Sequence, residues 1–145
     1  MIEVICLGKI KETYLKELID DYQKRISKYV KFKITELPDN TNINIEEEYI
    51  LKNLDKKSYV VLLDIKGEKL DSIKFANLID KTFINYPKIT VIIGGSDGGT
   101  ENIRQIANYK VSFSDMTFPH GLFRGVLLEQ IYRALKINNH ETYHK

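Results

Sequence analysis

The apolar positions of this chain alternate between two rhythms. Ile2, Val4, Ile5 and Leu7 form a short β-rich run stopped by Gly8, the pattern of a buried strand. From about Glu12 to Tyr29 the residues Leu15, Leu18, Ile19, Tyr22, Ile26 and Tyr29 recur at steps of three and four, which predicts a helix packed on a sheet. Phe32, Ile34 and Leu37 then alternate with polar residues and end at Pro38-Asp39-Asn40, so a second strand and a loop follow. Ile45 to Leu54 favours a short helix, with acids near its front where negative charge is welcome. Tyr59 to Ile65, YVVLLDI, is almost continuously apolar and β-branched, as a strand buried on both faces of a parallel sheet would be. Lys66-Gly67-Glu68 is expected to close it.

The second half repeats the alternation. Asp71 or Ser72 can cap a helix running to about Asn85 on Phe75, Leu78, Ile79 and Phe83, and Pro87 prevents its continuation. A strand over Ile89 to Ile93 delivers the chain into Gly94-Gly95-Ser96-Asp97-Gly98-Gly99, after which Thr100 can cap a short helix. Tyr109 to Phe113 reads as a brief strand. Strands separated by helical stretches imply right-handed crossovers, hence an α/β fold: a mainly parallel sheet with helices on both faces, in one domain spanning residues 1–145. Ligands of such sheets gather outside the carboxyl ends of the strands, here the loops after Leu63, Ile93 and Phe113.

Composition narrows the function. The chain has 145 residues, 43% hydrophobic and 29% charged, with a formal net charge of +2, an ordinary globular balance that neither demands nor excludes a nucleic-acid partner. Its cations crowd the first quarter, from Lys9, Lys11 and Lys16 to Lys31 and Lys33. No run approaches a membrane span and the start carries no leader pattern, so a cytoplasmic protein without membrane attachment is expected. Cys6, the one cysteine, sits among apolar residues and reads as a buried thiol rather than a nucleophile. The GGSDGG segment lacks the spacing of dinucleotide and nucleoside-triphosphate loops. No serine elbow or metal-ligand array is present, so neither hydrolysis nor a metal site is expected.

The stretch with unexplained chemistry is Phe113 to Arg133. It joins a Ser/Asp/Thr-rich turn and a Pro-His-Gly corner to a helix apolar on nearly every side that still carries Arg124, Glu129 and Arg133. Glu129 and Arg133 stand at i and i+4, the spacing of an ordinary helix ion pair, but their apolar neighbours leave little room for a solvated face. Such a pair is expected to line an interface or a pocket. The last residues, His140 to Lys145, have no apolar anchor and by themselves read as a loose end.

Taken in order, VLLDIKG (Val61 to Gly67), VIIGGSDG (Val91 to Gly98), FSDMTFPH (Phe113 to His120), LLEQIYRA (Leu127 to Ala134) and the terminal TYHK (Thr142 to Lys145) resemble the RlmH family, bacterial methyltransferases of large-subunit ribosomal RNA within the SPOUT superfamily. The resemblance runs from Met1 to Lys145. It implies an α/β-knot fold with a C-terminal trefoil knot, an S-adenosylmethionine cofactor, a homodimer, and methylation of N3 of a pseudouridine in 23S rRNA on the assembled ribosome. By the same resemblance Leu63, Gly94, Phe113, Ser114, Asp115, Met116, Thr117 and Phe118 would contact the cofactor. Glu129, Arg133, Tyr143 and His144 would be catalytic, and His120 and Arg124 would face RNA. Gly121 and Gly125 depart from the pattern by being small, which leaves the start of the last helix either loose or closely packed. The segment around Asn40 to Glu48 is shorter than the pattern. The competing readings are a non-catalytic RNA-binding module serving ribosome assembly and a nucleotide-binding regulator.

Overall fold

The computed structural model describes residues 1–95 and 98–145. Five strands, β1 (Ile2–Leu7), β2 (Phe32–Leu37), β3 (Tyr59–Lys69), β4 (Ile89–Ile93) and β5 (Tyr109–Ser112), alternate with five helices. These are α1 (Thr13–Ser27), α2 (Ile43–Asn53), α3 (Ser72–Asn85), α4 (Glu101–Ile106) and α5 (His120–Asn138). Every strand pairing is parallel and the strands lie in the order β2-β1-β4-β3-β5. No helix among the described residues is long and apolar enough to cross a membrane.

Successive side chains of a strand point to opposite faces, and both faces here are covered, which is why the strands read as nearly unbroken apolar runs. Val4 and Cys6 of β1, Val61 and Leu63 of β3, and Val91 and Ile93 of β4 pack with α1, α3 and α5. Ile5, Leu7, Leu62 and Ile92 point the other way, toward Ile50 of α2 and Ile103 of α4. Cys6 is fully buried with its Sγ 3.7 Å from the Thr35 carbonyl oxygen, and burial pushes the thiol up to about 11. A buried, protonated thiol is a poor nucleophile. Asp71 and Thr100 cap α3 and α4, their side chains accepting from the amides of Lys74 and Ile103.

Two features differ from the sequence pattern. Strand β3 does not end at Lys66-Gly67-Glu68 but runs on to Lys69, through a register shift between Leu63 and Glu68 along β5. Gly67 allows this because a Cβ there would lie 2.7 Å from the Lys110 carbonyl carbon, so only glycine lets the two backbones come this close. The second feature is α5, whose apolar girth is explained within the chain. It lies between α1 and α3 on the sheet, burying Leu127, Leu128, Ile131, Tyr132, Ala134 and Leu135. Gly121 and Gly125 make its start close-packed rather than loose: Cβ atoms at these positions would stand 2.9 Å from Leu15 Cδ1 and 2.7 Å from Leu18 Cδ2 of α1.

Candidate active site at the strand ends and the two ends of the last helix

The three loops selected by the strand-end rule belong to neighbouring strands. Leu63 is in register with Ile93 of β4 and with Val111 of β5, so it stands level with the ends of β4 and β5, just before the register shift in β3, while Gly94 and Phe113 directly follow those ends. From Ser112, at the sheet edge, the chain must travel to α5, whose first residue, His120, touches the Leu7 carbonyl oxygen of β1 at 2.9 Å. Residues Phe113 to Pro119 therefore span the width of β3 and β4 to reach α5. Phe113 packs edge-on against Phe75 and Phe123, and Phe118 stacks on Phe123 with ring centroids 5.6 Å apart. Ser114 Oγ accepts from the Met116 amide at 3.0 Å, and Asp115 pairs with Lys69. Met116 is 75% exposed.

These residues offer groups that a cofactor could use. Phe113 and Phe118 supply apolar surface, and the amides of Ser114, Asp115, Thr117 and Phe118 find no acceptor among the described residues, so the crossing segment has donors to spare. The glycine turn is shaped chiefly by its own packing. A Cβ on Gly94 would meet the Gly98 carbonyl at 2.5 Å, and one on Gly99 would meet Leu62 Cδ2 at 2.8 Å. Gly98 adopts φ +79°, a left-handed conformation that favours glycine. Ser96 and Asp97, the middle of GGSDGG, lie outside the described residues.

A buried ion pair under this turn escaped the sequence reading. Asp64 is 4% exposed; it accepts from Arg104 Nε at 2.9 Å and from the Lys66 amide at 3.1 Å. It ties the end of β3 to α4 directly after Leu63. The signal was legible, since Asp64 is the one charge in the otherwise apolar run Tyr59 to Ile65, and a buried charge needs a partner. Glu47 of α2 reaches the same turn, accepting from the Thr100 hydroxyl and, at 3.2 Å, from Asn102 Nδ2. Beside them a cleft of about 650 Å³ opens between the ends of β1 and β4 and the start of α2. Gly94 and His120 line it, whereas Leu63 and Phe113 to Phe118 do not.

Glu129, Arg133, Tyr143 and His144 come together at the other end of α5. Glu129 holds Arg133 by two bonds, Nε to Oε1 at 2.7 Å and Nη2 to Oε2 at 3.2 Å. Arg133 Nη1 lies 3.1 Å from His144 Nδ1; a guanidinium only donates, so Nδ1 accepts and the ring proton falls to Nε2. The Arg133 guanidinium sits 4.8 Å from the Tyr143 ring centroid, and Tyr143 packs edge-on against Tyr132. The hydrogen bond to Glu129 raises the pKa of Arg133, and burial pushes the Tyr143 phenol up to about 12. His140 turns the tail back with φ 56° while its amide and that of Glu141 cap the last carbonyls of α5. The loose end is therefore a folded one.

This cluster does not meet the strand-end loops within one chain. Arg133 lies thirteen residues beyond His120, about 20 Å along a helix, and its neighbour Tyr132 packs on Tyr22 and Tyr29 near the amino ends of the strands. His120 is exposed at the cleft, but Arg124 is not at the surface. At 1% exposure it pairs with Glu36 and donates to the Leu7 and Gly8 carbonyl oxygens at 3.4 and 3.1 Å. Arg124 thus differs from the RNA-facing expectation: its guanidinium anchors the exit of β1, where burial leaves no face for a phosphate.

The architecture is one that methyltransferases use. A probable methylase family protein from Haemophilus influenzae Rd KW20 superposes with a TM-score of 0.59 at 12% identity, covering 99% of this chain and 70% of that one. The tRNA (m1G37) methyltransferase of Aquifex aeolicus gives 0.53 at 18% identity over 91% of this chain and 69% of its own. At such identities the likeness is one of fold. In sequence, the family described as "Predicted SPOUT methyltransferase" matches residues 1–144. Proteins named ribosomal RNA large subunit methyltransferase H from Clostridium botulinum (strain 657 / Type Ba4) and, as "methyltransferase H 1", from Clostridium perfringens (strain SM101 / Type A) are 45% and 43% identical, over 99% of both chains. The chain belongs to the SPOUT methyltransferase family, in the branch of these large-subunit relatives. Their alignments span 157 positions, more than the 145 residues available here, so the relatives carry residues that this chain lacks.

Proposed function

We propose that this protein is a homodimeric methyltransferase that moves a methyl group from S-adenosylmethionine to N3 of a pseudouridine in 23S rRNA of the assembled ribosome. Membership of the family supports the coarser part, methylation of large-subunit rRNA with S-adenosylmethionine as donor. The observation that supports the reading is the run of Phe113 to Pro119 from the sheet edge to α5 beside β1, which carries the rings of Phe113 and Phe118 and several unused amides. That crossing, from the sheet edge to α5 behind β1, is also the route a threaded C-terminus would follow.

S-adenosylmethionine, when bound, supplies a methyl on a sulfonium, open to in-line displacement without a metal. The chain must orient the acceptor and ease the loss of the imide proton from N3. Both carboxylate oxygens of Glu129 are engaged by Arg133, which favours Glu129 as the group that holds Arg133 in place. Arg133 then offers a fixed cation to the oxygen where negative charge develops. With Nδ1 held by Arg133, the Nε2–H of His144, bonded to no described group, is placed to donate to a carbonyl oxygen of the nucleobase, which makes N3 more acidic so that its proton passes to water. Since this set and the cofactor seat occupy opposite ends of α5, each site requires the partner's Glu129, Arg133, Tyr143 and His144.

The test is mass spectrometry of 23S rRNA from cells with and without the protein, which should show one methylated pseudouridine lost and restored. Single-turnover methylation by His144→Ala should fall by about a hundredfold or more, the usual scale for a general acid–base group. Wild-type rates in both His144→Ala and Glu129→Gln would sink the catalytic assignment.

A further inference from the structure

The cleft of about 650 Å³ is not explained by the cofactor seat, and the topology says why it exists. The chain leaving β4 crosses to α4 on one face of the sheet, while the chains leaving both neighbours of β4, namely β1 and β3, go to α1 and α3 on the other. Strand ends whose connections diverge in this way open a crevice between them. β4 therefore borders two crevices. The one shared with β3 holds Leu63 and Gly94; the one shared with β1 is the cleft. Gly94 and Gly95 line the cleft, and Gly94 directly follows Ile93, the register partner of Leu63 in β3.

We propose that this second crevice receives the acceptor: a pyrimidine nucleoside turned out of the rRNA, seated against the side of the glycine turn opposite the cofactor. The inference rests on the methyltransferase reading above and names where its second substrate binds. A two-substrate transfer needs both reactants within contact distance, and a cleft lined by Gly94, one residue beyond the register partner of Leu63, provides this. The volume lies in the range of small-ligand sites, with an apolar floor of Leu7, Ile50, Ile92 and Ile103 and a polar rim that includes Lys9, Asn40 and His120. His120 is oriented by its Nε2 contact to the Leu7 carbonyl oxygen.

Charge selects the base rather than the phosphate. Asp39, Glu46 and Glu47 line the interior, a poor place for a phosphodiester but acceptable to a neutral ring with a hydrogen-bonding edge. Exposed Lys9 stands at the rim and exposed Lys11 and Lys16 follow it in sequence without lining the cleft, cations that the backbone of a splayed nucleotide could use. Glu46 and Glu47 are already committed, Glu46 to the Asn40 amide at 2.9 Å and Glu47 to Thr100 and Asn102. They hold α2 against the glycine turn and keep the cleft open.

Filling the cleft tests this. Thr41→Trp and Ile43→Trp, both at exposed lining positions, should lower kcat/KM for ribosomes by about tenfold or more. The affinity for S-adenosylhomocysteine by calorimetry should stay within about twofold of wild type. Two substitutions guard against one of them misfolding, with thermal melting as the check. Ribosome methylation at wild-type efficiency in a folded, cleft-filled variant overturns the proposal. So does parallel loss of S-adenosylhomocysteine binding, which would make the cleft part of the cofactor seat. Wild-type protein that binds no S-adenosylhomocysteine would overturn the methyltransferase reading, and this inference with it.

Discussion

The two ends of α5 are held by different physics. At its start, His120 and Arg124 reach backbone carbonyl oxygens at the exit of β1, and Gly121 and Gly125 let α1 approach until Leu15 and Leu18 fill the missing side chains. Nothing there is free to move without disturbing the core. At its other end, Glu129, Arg133, Tyr143 and His144 form a side-chain network closed by a tail that folds back through His140. That network is half-buried and its anchors are few. Rigid placement suits the end beside the strand loops, whereas the far end keeps its polar groups accessible for a partner or substrate.

The separation of about 20 Å along the helix gives the largest expected effect. If each site takes its loops from one subunit and its charged cluster from the other, Arg133→Ala and Gly94→Val should each abolish methylation. Dimers re-formed from an equal mixture should recover about a quarter of wild-type activity, since half the dimers would contain one intact site of two. Absence of recovery in verified mixed dimers would break the shared-site reading.

Removing residues 143–145 sharpens the contrast between the ends. Methylation should drop by at least about a hundredfold. The melting temperature should fall by only about 2–4 °C, because the loss is one partly buried ring, Tyr143 at the edge of the core, and a surface network. A large fall in melting temperature would show that the tail is structural.

Substitutions at the amino end should do the reverse. Arg124→Leu leaves the Leu7 and Gly8 carbonyls without their donor and should cost about 1–3 kcal/mol of stability by chemical denaturation. It should leave the salt dependence of ribosome binding unchanged, because the side chain meets no phosphate. A shallower salt slope would restore Arg124 to the RNA surface. The smallest expected effect belongs to Gly125→Ala. Helix propensity favours alanine by about 1 kcal/mol, while the added Cβ must displace Leu18 Cδ2 from 2.7 Å. The two should nearly cancel, with Gly125→Val destabilising by about 1–3 kcal/mol; a stabilising valine would show slack between α1 and α5.

Much of the fold was legible because the chain obeys simple periods. The strands at Ile2–Leu7, Phe32–Leu37 and Ile89–Ile93 fall at the positions the apolar runs indicate, and Asp71 and Thr100 cap the helices they precede. The end of β3 was not legible, since Lys66-Gly67-Glu68 is turn-like locally and only the approach of β5 turns Gly67 into a strand position. Arg124 misled for a related reason. In sequence it is a cation on a helix beside a histidine; in space its helix faces the exit of β1, where two carbonyl oxygens and Glu36 bind its Nη atoms while the buried Nε finds no partner among the described residues.

The sequence alone determined the parallel α/β architecture, the three loops on which ligand contacts are expected, and the identity of the charged residues in the last helix. Periodicity, glycine placement and isolated charges are local properties, and they survive without coordinates. Only the tertiary structure decided which charges are anchors and which are available, that Asp64 and Arg104 brace the glycine turn, and that β4 borders two crevices instead of one. Those outcomes depend on strand order and on the face each connection takes, and no local pattern in the chain encodes them.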